Sequence, residues 1–399
     1  MKGMYVFLFS IIVSPYADAQ KLKLPVILSD AEKQTLVMLT EIPAAKAVSK
    51  NLALVSPRTV EKGQLKLVPP KDWTSGFFPG ELWYLYELTG KSTWKEQAEL
   101  FTKKIEPQQF DRSTHDLGFE IYCSYGNGYR LTKDPQYKSV IIQAATTLSK
   151  RFSPVTGTIK SWDHNPKWGY PTIIDNMMNL ELLFEAAKLS GDSSFYKIAV
   201  RHANTTMRNH FRNDNSSFHV VDYDTVNAGK VIKITTHQGY SDQSAWARGQ
   251  TWGLYGFTLC YRETKDPAYL IQAERIADYL LTNPNLPADM VPYWDFNAPN
   301  IPNEPRDASA AAIMASALYE LSLYSKNKKN YLSVAGKILE NLTLNYRSPV
   351  GQNKGFLLLH STGSKPGNSE VDVPINYADY YYLEALRRYK RLKEKKPLF

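Results

Sequence analysis

Two cysteines in 399 residues, Cys123 and Cys260, cannot form a disulfide framework, so the chain must hold its fold through packing. Both stand in aromatic-rich helical contexts and read as buried free thiols. Beyond the first twenty residues no apolar run is long enough to cross a bilayer, which excludes membrane insertion there. The seven histidines are scattered, and none shows the i, i+4 spacing of a zinc-protease helix. No catalytic metal and no cofactor is therefore expected. A G-x-S-x-G elbow, a dinucleotide fingerprint, a phosphate loop and RNA-binding signatures are all missing. The net charge of +9 is spread over dispersed lysines and the tail "RRYKRLKEKK", which reads as a solvated helix end and not as a nucleic-acid site. No Pro/Ser-rich linker divides the chain, so residues 20–399 are expected to form one domain.

What is present is a globular composition, 43% hydrophobic and 22% charged. Eight Trp and 26 Tyr are many for this length. Most such rings are core, yet sugar clefts also use them as flat apolar platforms. The N-terminus has Lys2, an apolar run from Met4 to Val13, and Ala17-Asp18-Ala19 before Gln20. This is the layout of a signal peptide over residues 1–19, and it predicts an exported protein, periplasmic or secreted.

One local plan recurs: a helix, a short turn carrying Gly, Asp, Asn or Pro, an aromatic residue, and a second helix. It is visible in "GELWYLYELTGKSTW", "GYRLTKDPQY", "LELLFEAAKLSGDSSF", "LCYRETKDPAYL" and "LYELSLYSKNKKNY". The closing aromatics are Trp94, Tyr137, Phe195, Tyr269 and Tyr331, and a sixth pair is expected to end with "YADYYYLEALRRYKRL". Six helical hairpins predict an all-α protein, an open solenoid or an (α/α)6 barrel. The long, aromatic-rich connections at 153–172 and 211–245 favour the closed barrel, with short strands near "FHVVDY" and "KVIKITT" at its mouth.

Polar and aromatic residues cluster just ahead of helices at these long connections. They are Trp73, His115, Asp116, Asp175, His219, His237, Gln238, Trp246, Arg248 and Trp252. Arg248 and Trp252 are spaced i, i+4 and share a helix face, where a guanidinium above an indole either seats a sugar carboxylate or only packs. Asp116 and Asp175 suit the paired acids of glycoside hydrolysis. Each also reads as a helix N-cap, a role that lowers the pKa, whereas a proton donor needs it raised.

The ordered set "WTSGFFPGELW", "HDLGFEIY", "IIDNMMNLELL", "HQGYSDQSAWARGQTWGLYGF" and "INYADYYYLEAL" resembles the unsaturated glucuronyl hydrolases, family 88 of the glycoside hydrolases. The resemblance runs from about Lys71 to the end of the chain and implies an (α/α)6 barrel. It further implies an anionic unsaturated oligosaccharide partner, made by a lyase from glycosaminoglycan or ulvan, sulfated or not. The implied reaction hydrates the C4=C5 enol ether of the terminal sugar. Asp175 would protonate C4 and activate water, and Asp116 would hold the ring hydroxyls and help keep Asp175 protonated. His219, Gln238, Arg248 and Trp252 would bind the unsaturated sugar, with Trp73, Trp246 and His115 around it. Ser361, Ser364 and Lys365 do not match the sulfate-binding spacing of some relatives. The rivals are an unsaturated rhamnogalacturonyl hydrolase acting on pectin fragments, an inverting glycosidase, and a non-catalytic sugar-binding protein.

Overall fold

The computed structural model describes residues 22–163 and 165–399; the expected signal peptide lies outside them. The chain opens with helix α1 (Leu24–Ser49) and the hairpin β1–β2 (Ser56–Glu61, Gln64–Val68). Helices α2 (Phe77–Thr89) and α3 (Ser92–Lys103) follow. A π-helix (Gly118–Gly126) runs directly into α4 (Asn127–Thr132) and is paired with α5 (Pro135–Ser149). After the short hairpin β3–β4 (Phe152–Ser153, Thr158–Ile159) and strand β5 (Pro171–Ile173) come α6 (Asn176–Ser190) and α7 (Ser193–Asn209). Strands β6 (Val220–Tyr223) and β7 (Val231–Thr235) complete an antiparallel sheet with β5, at the segments where short strands were expected. Helices α8 (Ala247–Thr264), α9 (Pro267–Thr282), α10 (Ala308–Leu321) and α11 (Lys328–Asn345) precede the hairpin β8–β9 (Ser361–Ser364, Ser369–Val373) and α12 (Asn376–Lys393).

The helices form two rings. Each inner helix touches the next in the order α2, π-helix, α6, α8, α10, α12, and α12 returns to α2, which closes the barrel. Their sequences explain the placement: every residue of α10, "ASAAAIMASALYEL", is buried, and a helix apolar all round must lie inside. The outer helices α3, α5, α7 and α9 start where the recurring turns predict. Asp134, Asp192 and Asp266 cap three of them by accepting a backbone N–H two residues on. Trp94, Phe195, Tyr269 and Tyr331, one turn further, are buried against the inner ring. The sixth hairpin departs from the expected plan. No helix follows α12, and α1 from the start of the chain packs outside α2 instead. Cys123 and Cys260 are buried and unpaired, as expected.

The barrel interior is tied, about midway along the inner helices, by a buried carboxylate. Glu384 accepts hydrogen bonds from Tyr84 (3.0 Å), Tyr255 (3.0 Å) and Ser316 (2.5 Å), joining four inner helices. Burial pushes its pKa up, but Arg388 and these hydroxyls outweigh burial and hold it below the ordinary carboxylate range.

Candidate active site

All six inner helices begin at one end of the barrel. The residues that open them, or lie just ahead, line a cavity of about 90 Å³: Trp73, His115, Asp116, Phe119, Asp175 and Arg248, with Trp162, Ile173 and Gln238 from the long connections. Four of these N-termini, those of α2, the π-helix, α6 and α8, contribute lining residues, and their partial positive charge gives the pocket a field suited to an anion.

Asp175 occupies the N-cap position of α6, yet its side chain makes no capping hydrogen bond. Its carboxyl is only 12% exposed, and Oδ2 has no hydrogen-bond partner among the described residues. Its pKa is raised to about 7, chiefly by loss of water, with Arg248 pulling it down and Asp116 pushing it up. Desolvation therefore defeats the lowering expected at a helix N-terminus. Asp175 is poised to hold a proton near neutrality.

The two nearby histidines are fixed as opposite tautomers by their partners. His219 Nδ1 accepts from the backbone N–H of His237 (3.2 Å) and Gln238 (3.1 Å), so its proton is on Nε2. That nitrogen has no hydrogen-bond partner and points at Asp175 Oδ2 from 3.7 Å. In His115 the arrangement is reversed. Asn176 donates its amide N–H groups to Ile159 O and Ser161 Oγ, leaving Oδ1 to accept from His115 Nδ1 at 2.9 Å. The bare Nε2 faces Asp116 Oδ2 at 3.4 Å, where a hydrogen bond forms only if the imidazole or the carboxyl carries one more proton. Burial lowers the pKa of both imidazoles and keeps them neutral. Asp116 is 15% exposed and held only by long contacts, each 3.4 Å, to Thr114, His115 and Asn179.

Arg248 is buried and remains charged, its pKa raised by Tyr377, Asp307 and Asp175 against the lowering effect of burial. Its terminal nitrogens donate to Asp307 Oδ2 (2.7 Å), Thr362 O (2.6 Å) and Gly363 O (2.6 Å), and Nε has no partner. The expected stack on Trp252 is not observed. The guanidinium lies 4.6 Å from the ring of Trp246 and 5.2 Å from that of Tyr377. The reason is geometric: helical side chains lean toward the N-terminus, so Arg248 reaches back to Trp246 while Trp252 sits one turn deeper.

Of the nine residues expected at the site, six form the pocket wall: Trp73, His115, Asp116, Asp175, Gln238 and Arg248. The other three stand behind it. Trp246, expected at the wall, is covered by His219, whose ring stacks on it at 4.5 Å, and by Arg248. Trp252 is fully buried, and its indole N–H has no hydrogen-bond partner. Phe119, Trp162, Asn179, Asp307 and Tyr377 were not singled out. Trp162 lies in a long connection marked as functional, and Phe119, Asn179 and Tyr377 lie in quoted motifs without being distinguished there; Asp307 lies in none of them. Among the described residues, no three His, Cys, Asp or Glu side chains group as a metal ion requires.

Comparison with known proteins extends this geometry. The family model for Glycosyl Hydrolase Family 88 matches residues 52–390. The unsaturated glucuronyl hydrolase of Formosa agariphila is 51% identical over 341 residues, covering 85% of this chain and 84% of that protein. The crystal structure of an unsaturated glucuronyl hydrolase specific for heparin superposes with a TM-score of 0.86 at 46% identity, over 92% of this chain and 98% of the other. A variant of the Streptococcus agalactiae enzyme complexed with dGlcA-GalNAc6S superposes with a TM-score of 0.75 at 29% identity, over 93% of this chain and 92% of the other.

Proposed function

The chain belongs to glycosyl hydrolase family 88, and on that premise we propose that it removes a Δ4,5-unsaturated glucuronyl residue from the non-reducing end of lyase-made glycosaminoglycan fragments. The observation that carries this reading is Asp175: a desolvated carboxyl with a free oxygen and a pKa of about 7, in a pocket ringed by helix N-termini. Such an acid gives up a proton at neutral pH, and such a pocket accepts a uronate.

The chemistry follows from the substrate. The ring oxygen makes the C4=C5 bond an enol ether, so C4 is electron-rich. The Asp175 carboxyl transfers its proton to C4, and the positive charge appears at C5, shared with the ring oxygen. Asp175, now a carboxylate, takes a proton from water as the hydroxyl adds to C5, and the acid is regenerated. The product is a hemiketal that opens and releases the remaining saccharide. His219 presents its Nε2–H beside Asp175, where it stabilises negative charge on the acid after proton transfer. Asp116 accepts from sugar hydroxyls, and its charge helps to keep Asp175 protonated. Arg248 supplies fixed positive charge, with Nε free for the sugar carboxylate. Trp73 and Trp162 are half-buried aromatic residues at the wall.

The substrate carries at least the uronate charge. Sulfation of the next sugar is supported by the net basic charge of the chain and by the heparin and GalNAc6S relatives. Ulvan fragments are a second source of the same terminal sugar. The apolar run Met4–Val13, ahead of Ala17-Asp18-Ala19, supports an exported enzyme.

The test uses heparin- and chondroitin-derived unsaturated disaccharides in oxygen-18 water. The ultraviolet absorbance of the alkene should vanish and the label should appear at C5. Label at the anomeric carbon, or equal turnover of saturated disaccharides, would overturn the reading in favour of an ordinary glycosidase.

A further inference from the structure

Helix α6 carries more of the site than Asp175. Asn179, one turn further on, is fully buried, and its side-chain Oδ1 accepts the backbone N–H of Phe119 at 3.1 Å. This N–H lies at the start of the π-helix, where no intrahelical acceptor exists for it. With the carbonyl end committed, the amide cannot flip, and its Nδ2 must face Asp116 Oδ1, 3.4 Å away. One side chain on the helix of the first acid thus holds both the carboxylate of the second and the backbone three residues beyond it.

The packing at this contact leaves no slack. A Cβ added to Gly118 would stand 2.6 Å from both Cα and Oδ1 of Asn179, so only glycine lets the two segments meet. Asn176 makes the parallel connection to His115. We infer that Asn179 is the positioning residue that sets the carboxylate of Asp116 against Asp175, acting through its oriented amide and the start of the π-helix. π-Helical turns are rare and concentrate at functional sites; here the wide turn brings Phe119 to the pocket wall while Asn179 takes up its freed N–H. The inference rests on the proposed reaction, since it assigns a role within it.

Two variants test it by steady-state turnover of an unsaturated disaccharide across pH, with thermal melts to confirm folding. Asn179→Asp keeps the size and the acceptor for Phe119 N–H but replaces the donor facing Asp116 with a carboxylate. Its kcat should fall about hundredfold, and the added charge should move the alkaline limb of the kcat profile up by about one pH unit. Asn179→Ala removes atoms only; its kcat should fall at least about tenfold with no upward movement of the limb. A folded Asn179→Asp protein with wild-type kcat or an unmoved limb overturns the inference, because a merely structural contact changes stability and not the limb. Should Asn179→Asp not fold, wild-type kcat in Asn179→Ala overturns it. Absence of turnover in the wild type would instead sink the proposed reaction, so the two failures are distinct.

Discussion

Asp175 holds a position that four other aspartates share. Asp134, Asp192, Asp266 and Asp307 also stand at helix N-caps, and each accepts the backbone N–H two residues on. Asp175 does not, and its oxygens are left for chemistry. Sequence reasoning could place it at a helix start but could not separate the two roles, because capping and catalysis use the same residue at the same place. The difference arises from burial and from Asp116 and Arg248, which come together only in three dimensions. Asp116, Trp73 and Gln238 were legible as polar or aromatic residues ahead of inner helices; Asn179 lies in the motif "IIDNMMNLELL", but its contacts with Asp116 and Phe119 exist only in three dimensions. The raised pKa has consequences of definite sign. Activity that needs protonated Asp175 should decline as pH rises through about 7, seen as the alkaline limb of the kcat profile. Replacement by Asn should lower kcat by about a thousandfold while leaving substrate binding largely intact. The folded state also binds this proton more tightly than the unfolded chain, so wild-type stability is eroded as pH climbs from about 4 to about 7. At neutral pH the cost is on the order of 4 kcal/mol. Asp175→Asn should therefore melt higher than the wild type at pH 7 and lose that advantage near pH 4; equal melting temperatures throughout would contradict a desolvated carboxyl.

Elements were more legible than side chains. The outer helices were found because Asp-Pro and Gly-Asp turns stop one helix and start the next, a local signal needing no tertiary context. The expected strands near "FHVVDY" and "KVIKITT" are β6 and β7, for the same local reason. The place of α1 in the outer ring was missed because it is set by ring closure and filled from the far end of the chain. The π-helix was missed as well, since "GFEIYCSYG" carries no local mark that separates a π-helix from a buried α-helix. Capping at an outer helix should be separable from catalysis. Asp266→Ala removes the N–H acceptor at the head of α9, far from the pocket wall. Chemical denaturation should show a loss of about 1 kcal/mol, with kcat and KM as in the wild type. A marked fall in kcat would mean that the outer ring contributes to the site.

At the scale of the whole molecule, charge and architecture act together. Four helix N-termini line the pocket for a substrate that is at least singly negative, and the chain as a whole carries a net charge of +9. The field should speed encounter, and salt should weaken it over a Debye length of about 10 Å at 0.1 M. Raising ionic strength should reduce kcat/KM for a sulfated unsaturated disaccharide more than for its unsulfated counterpart. Identical salt slopes would place the sulfate outside the field of the pocket. The barrel also treats buried acids differently at its mouth and in its interior. Glu384, given Arg388 and three hydroxyl donors, stays ionised and locks the helices together. Asp175, denied such partners, stays reactive.

The ring has a consequence for how the protein is made. The hydrogen bond from Tyr84 to Glu384 joins residues 300 positions apart. Until α12 leaves the ribosome, the earlier helices can form only a trough with two raw apolar edges, and the last stave converts it into a barrel. Arg248 is seated in that same step, because Tyr377 at the head of α12 completes the stack on it. A nascent or truncated chain is therefore both inactive and adhesive, and competence arrives all at once.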